Sequence, residues 1–307
     1  MIEIKVISEF QEAKRLWNLL SPQETIYDLW DFRYCFYKYE ICPLNFITAY
    51  DEGEPVALFA LQYNEKDKCL ESFAEEFMEE SRPFIRPGYE YLIPELYKKI
   101  TGKARLLDLT ENSETDEFTK AIPLEDYIYL LFLEKYQDFS DFLNDRLNAK
   151  RRRSLVKELA AIASKNVSVE IYNKAALNKD KLDAIAGQLF DFNISSFADD
   201  SYLQKETEKK AHRDLFDLAL DWRLIILSVN GQREAISFSI VYNNIWFYVI
   251  TGVNFKKIPG LGKYLVKVNI EEAIKEGVKV YDCGLGDCGW KNLWHFDKKA
   301  QHIFSQE

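Results

Sequence analysis

Lys257-Ile258-Pro259-Gly260-Leu261-Gly262 runs directly into a segment with helical spacing. A turn with Gly at 260 and 262 that opens a helix leaves backbone N–H groups facing outward. The positive end of the helix dipole lies behind them, so the turn suits a phosphate or pyrophosphate. Gly at both positions lets the backbone approach a ligand where a side chain would collide. Lys257 adds a cation at the mouth. A Gly-x-Gly before a helix is also a common tight turn, so the flanking elements decide between the two readings.

Upstream, Ile245-Trp246-Phe247-Tyr248-Val249-Ile250-Thr251 is apolar on both faces, as a central strand covered on both sides would be. Downstream, the helix from about Gly260 to Glu276 places Leu261, Tyr264, Leu265 and Val268 on one face, with Ile270 and Ile274 roughly opposite. Gly277 is its expected stop. Val278 to Cys283 reads as the next strand. A hairpin precedes the whole unit, with Arg223 to Val229, a turn at Asn230-Gly231, and Ala235 to Asn243.

The same plan occurs earlier. Leu44 to Tyr50 and Val56 to Asn64 form a hairpin by composition, around Asp51-Glu52-Gly53-Glu54. Both hairpins end in Tyr-Asn, and Tyr242 lies 179 residues after Tyr63. A strand over residues 2–7, a helix over 9–20 and an aromatic-rich helix over 28–39 come before the first hairpin. The pattern favours two similar domains, 1–135 and 136–307. Residues 81–88 carry no Gly-x-Gly, so the N-terminal copy is expected to be degenerate, with one cofactor site per chain. Between the copies, strands are expected at 104–109, 127–133 and 167–172, and helices at 138–165, 178–193 and 202–221. The helix over 138–165 carries Lys150-Arg151-Arg152-Arg153, either a solvated face or a contact for an acidic ligand group.

The chain has 307 residues, 47% hydrophobic and 15% aromatic, enough to bury large cores. A net charge of −10 argues against a general DNA or RNA binder, which needs a basic face. Five scattered cysteines and three histidines support neither a disulfide framework nor a metal site. The chain starts Met-Ile-Glu-Ile-Lys-Val, with no apolar leader and no run near the ~18 apolar residues of a membrane span. The expectation is a protein of the cytoplasm.

Rossmann and P-loop readings fit poorly. Rossmann strands are parallel with an early Gly-rich turn, and a Walker loop needs Ser or Thr where Tyr264 stands. The order of elements around Lys257-Ile-Pro-Gly260-Leu-Gly262 resembles the GNAT acyltransferase fold, whose acyl-CoA loop reads Gln/Arg-x-x-Gly-x-Gly/Ala. Lys257 departs from that pattern. Tyr281-Asp282-Cys283-Gly284-Leu285-Gly286-Asp287, closing with Trp290-Lys291, is similar to the ending of the branch related to Fem-type peptidoglycan aminoacyltransferases. That branch also carries tandem GNAT-like domains with a degenerate N-terminal copy. The basic helix and the region of Trp17 resemble it more loosely.

The resemblance implies an α/β (α+β) fold of two tandem GNAT-like domains, with mixed, mostly antiparallel sheets flanked by helices. It implies acyl transfer to an amine from acetyl-CoA or another acyl-CoA as co-substrate. Val249, Ile250 and Thr251 would donate backbone N–H to the acyl carbonyl, and Gly260, Leu261, Gly262 and Lys263, with Lys257, would hold the pyrophosphate. Lys291 would stabilise developing negative charge, Asp282 would orient the amine or take its proton, and Tyr281 or Cys283 would protonate the leaving thiolate. Tyr248, Trp290 and Arg152 would contact the acceptor, a small molecule, sugar or peptide amine. An aminoacyl-tRNA-dependent Fem-type transferase ranks second, and a non-catalytic GNAT-fold binding protein third.

Overall fold

In the computed structural model, residues 1–113, 116–255 and 258–307 are described, apart from the side chain of Glu76. The chain divides into two compact units, residues 1–128 with 299–307, and residues 129–298.

The first unit opens with β1 (Ile2–Ile7), α1 (Phe10–Leu20) and α2 (Trp30–Tyr37). Glu9 caps α1 by accepting the amides of Gln11 and Glu12. The hairpin of β2 (Leu44–Asp51) and β3 (Glu54–Asn64) follows, and β1 pairs antiparallel with β2. Next come β4 (Cys69–Ser72), the short β5 (Phe84–Ile85), α3 (Ile93–Tyr97), β6 (Ala104–Leu109) and α4 (Glu117–Ala121). β4 runs antiparallel to β3 and parallel to β6. Trp17, Trp30, Phe46, Phe73 and Phe84 fill one core as a chain of edge and stacked ring contacts. Arg33 is buried beside it and satisfies its guanidinium on the carbonyls of Tyr27, Phe73 and Glu80. β7 (Leu124–Phe132) spans the division between the units.

The second unit repeats the plan. After α5 (Phe139–Arg146) and α6 (Ala149–Ala163) come β8 (Val167–Asn173), α7 (Lys179–Phe197) and α8 (Glu206–Leu215). Then β9 (Asp221–Val229), β10 (Gln232–Tyr242), β11 (Ile245–Val253), α9 (Leu261–Lys275) and β12 (Val280–Leu285) follow. β8 pairs antiparallel with β9, and β9 with β10. β11 is antiparallel to β10 and parallel to β12, with α9 as the crossover. In both units a hairpin is thus followed by a strand, a crossover helix and a parallel strand. The expected mixed α/β architecture of two GNAT-like copies is observed. β13 (Asp297–Gln306) then returns the chain to β6 of the first unit.

Two helix expectations need correction. The helix expected over 138–165 is two helices. Leu147 is buried in extended backbone, and Asn148 starts α6 by accepting the Arg151 amide. The helix expected over 202–221 is helical in α8 alone beyond a short 3-10 turn, and Asp221 already belongs to β9. The alternation around Trp222 and Leu224 buries that strand in the sheet, overriding any helical tendency.

His212 on α8 is fully buried, stacked on Tyr202, and burial pushes its pKa down to about 3. The unfolded chain takes up that proton near pH 6.5, whereas the folded chain does not until far lower. Stability therefore falls as pH drops below about 6.5. Replacing His212 with Gln should remove this dependence. The stability gap between variant and wild type, read by urea unfolding, should shift by about 2 kcal/mol between pH 7 and pH 5.

Candidate active site

β11 and β12 stay in register only where Ile245, Trp246 and Phe247 face Val280, Tyr281 and Asp282. Beyond Phe247 the two parallel strands part. β11 also slips against β10: Phe238 faces Ile250 but Ser239 faces Tyr248, so Val249 is an extra, bulged residue. The splay and the bulge coincide, and Val249 is the one residue of this stretch with no register partner on β10.

Side chains converge on the splay. The Tyr248 hydroxyl donates to Thr251 Oγ1 at 2.9 Å, and its ring lies 5.9 Å from that of Tyr281. Tyr281 is fully buried with the Cys283 thiol as a neighbour. Burial raises the pKa of both phenols, so they hold their protons at neutral pH. Phe296 lies 6.4 Å from Tyr281 and 6.4 Å from Trp290, linking the aromatic side of the site.

Near the end of β12 the chain turns on Gly284 in the left-handed region. Asp282 is buried and its Oδ1 accepts the Gly284 amide at 2.8 Å. Lys291 is 4% exposed, and its Nζ donates to the carbonyls of Gly284 at 2.8 Å and Leu285 at 2.7 Å. It also lies over the ring of Tyr129, which Lys298 shares. Asp287 closes the segment by accepting the amides of Trp290, Lys291 and Asn292. Lys291 is a buried cation that braces the turn after β12, not a surface lysine.

The glycine turn sits at the start of α9, with Gly260 left-handed at the N-cap. Here the structure narrows the expected anion site. The Leu261 amide donates to Ile258 O and the Lys263 amide to Gly260 O. The amides of Gly260 and Gly262 alone, of those four, have no partner among the described residues. The Lys263 ammonium is paired with Glu158 of α6. A Cβ at Gly260 would meet Ile162 at 3.1 Å, and one at Gly262 would meet Phe255 at 3.2 Å, so neighbouring side chains crowd both positions. Lys257 lies outside the described residues. Arg152 is half-buried on α6, the helix whose Glu158 and Ile162 reach this turn.

The sequence reading missed what covers β11 beyond the splay. Asn193 of α7 donates to Thr251 O at 2.8 Å. Ser196 accepts the Val253 amide at 3.2 Å and lies 2.7 Å from Val253 O. Side chains of α7 therefore take the place of a neighbouring strand. Gly252 makes this approach possible, since a Cβ there would fall 2.5 Å from Leu189 O and 2.8 Å from Asn193 N. A lone Gly inside a strand is the sequence mark of such an approach.

A protein-family model, FemAB_like, described as peptidoglycan biosynthesis/recognition, matches residues 106–288. The chain belongs to the FemAB-like family. No protein of curated function matches the sequence. Among solved structures, FemX is similar at 10% identity, over 99% of this chain and 96% of that one, with a TM-score of 0.60. L-PGS of Bacillus licheniformis is similar at 9% identity, over 98% and 93%, with a TM-score of 0.56. A tandem GNAT protein from the clavulanic acid biosynthesis pathway is similar at 10% identity, over 99% and 98%, with a TM-score of 0.51. At these identities the likeness is one of fold. Among the described residues of this FemAB-like chain no helix is long and apolar enough to cross a membrane.

Proposed function

We propose that this FemAB-like protein transfers an activated acyl group to an amine at the splay of β11 and β12. The observation that carries the reading is the coincidence of the splay with the Val249 bulge, beside buried tyrosines, a place where backbone N–H groups of β11 would face an acyl carbonyl. Such N–H groups stabilise the oxyanion of a tetrahedral intermediate. Tyr281 or Tyr248 gives a proton to the leaving group and recovers one from the attacking amine by way of Asp282, and Lys291 fixes the turn that carries Asp282 and Cys283. The family description points to a peptide amine as acceptor.

For the donor, the covering of β11 favours an aminoacyl ester on tRNA over an acyl-CoA. A pantetheine arm that added to β11 as a strand would have to displace Asn193 and Ser196. An RNA carrier needs phosphate contacts instead. Lys150, Arg153 and Lys157 line the exposed face of α6, opposite the buried Leu155, Leu159 and Ile162. Acyl-CoA remains the second reading, supported by the amides of Gly260 and Gly262, which have no partner among the described residues.

Calorimetry separates the donors. Wild type should bind an aminoacylated RNA minihelix, with affinity falling as salt rises, and should bind acetyl-CoA and longer acyl-CoAs at least about tenfold more weakly. Tight acyl-CoA binding that disappears in Gly262→Glu would overturn the tRNA assignment and establish the second reading.

A further inference from the structure

Three buried polar side chains lie across the ladder from the Val249 bulge. Ser237 and Ser239 on β10 and Asn269 on α9 are each fully buried. Ser239 faces Tyr248 and Ser237 faces Thr251, so the two serines bracket the slip that leaves Val249 without a partner. Residues opposite one another on paired strands share a face. The serines therefore lie on the side of the sheet where the Tyr248 hydroxyl meets Thr251 Oγ1.

Asn269 joins the two ends of the slip. Its Oδ1 accepts the Ser239 hydroxyl at 3.3 Å and lies 3.2 Å from Ser237 Oγ. Its Nδ2 donates to Ser237 Oγ at 2.9 Å and to Leu265 O at 2.9 Å. The other buried residues of α9 are Leu261, Leu265, Val266, Val268, Ile270 and Ala273, all apolar. Apolar side chains at the three polar positions would hold helix to sheet without the desolvation cost of buried hydroxyls and an amide. A closed polar network adds something else, because its members match in one alignment only.

A bulge calls for such a device. One extra residue can sit at neighbouring positions along a strand, and a slip by one residue turns the affected side chains to the other face. Apolar contacts tolerate the slip, whereas two serines held by one amide do not.

We propose that Asn269, with Ser237 and Ser239, is a positioning clamp that pins the extra residue of β11 at Val249 and ties α9 to it. Since α9 begins at the Gly260 turn, the clamp also sets the place of that turn relative to the splay. Transfer depends on the clamp only if the splay is the acyl-transfer site, as proposed, whereas the pinning of the bulge holds either way.

The test uses the full chain and two variants. The triple change Ser237→Ala, Ser239→Ala and Asn269→Leu replaces every member by an apolar group, so the urea midpoint should stay close to wild type. Ser239→Ala alone removes one end and keeps the Asn269 bond to Ser237, and it carries the test if the triple variant does not fold. With 15N-valine labelling, the Val249 amide should give one sharp resonance in wild type. In the variants it should split or broaden as the bulge samples neighbouring positions. In amide formation from an aminoacyl RNA and a peptide amine, kcat should fall about 10–10²-fold in the triple variant and about threefold in Ser239→Ala, with KM within about twofold of wild type. A single, unshifted Val249 resonance in the variants would overturn the clamp, whether or not the protein transfers acyl groups. A split resonance with wild-type kcat would overturn the positioning role. No transfer by wild type would strike the acyl-transfer reading, and the Val249 resonance alone would then decide the clamp.

Discussion

Lys291→Met should lower amide formation by about 10²–10³-fold, the usual cost of losing one group that stabilises transition-state charge. It should also cost about 2–4 kcal/mol of stability, because the Gly284 and Leu285 carbonyls lose the donor they share in a buried turn. Lys291→Arg separates the two contributions. It keeps the charge but cannot place a planar fork where a single Nζ reaches both carbonyls. If Lys291 acts through charge, Arg restores part of kcat while leaving KM and the melting temperature low. If the lysine only braces the turn, kcat should follow melting temperature across Met, Arg and wild type. Unchanged transfer in Lys291→Met would remove this residue from the site.

Gly252→Val should destabilise the second unit strongly. Its Cβ would sit 2.5 Å from Leu189 O and 2.7 Å from Phe192 Cβ, against helix backbone that cannot step aside locally. α7 would have to lift off β11, losing the Asn193 and Ser196 bonds to Thr251 and Val253. Overpacking of this kind costs about 1–3 kcal/mol and more when backbone must move. Gly187→Ala supplies the opposite sign on the same helix. Gly187 has no atom within 4 Å of an added Cβ, so alanine should stabilise by about 0.5–1 kcal/mol. Urea midpoints measured on both variants check the pair. A neutral Gly252→Val would mean that α7 does not press on β11.

Much of the fold was legible in the residues because the periodicity of each strand is local. The hairpins at residues 44–64 and 221–242, the doubly covered β11 and the turn at Gly260 all announce themselves within a dozen residues. The break before Asn148 was not legible, since a single Asn in a helical pattern becomes a cap only when Leu147 is drawn into a core. The covering of β11 was not legible either, because Asn193 meets Thr251 across 58 residues of chain. The loop amides expected to face a pyrophosphate were half spent on their own turn, which the Gly-x-Gly pattern cannot reveal.

The most direct measurement is the alkali stability of the transferred group. A labelled aminoacyl ester of RNA, incubated with the protein and a peptide bearing a free amine, should yield label that survives mild base and co-migrates with the peptide. An amide behaves so and an ester does not. Label that remains on the RNA, or that reaches the peptide in a form released by mild base, would contradict acyl transfer to an amine at the β11–β12 splay.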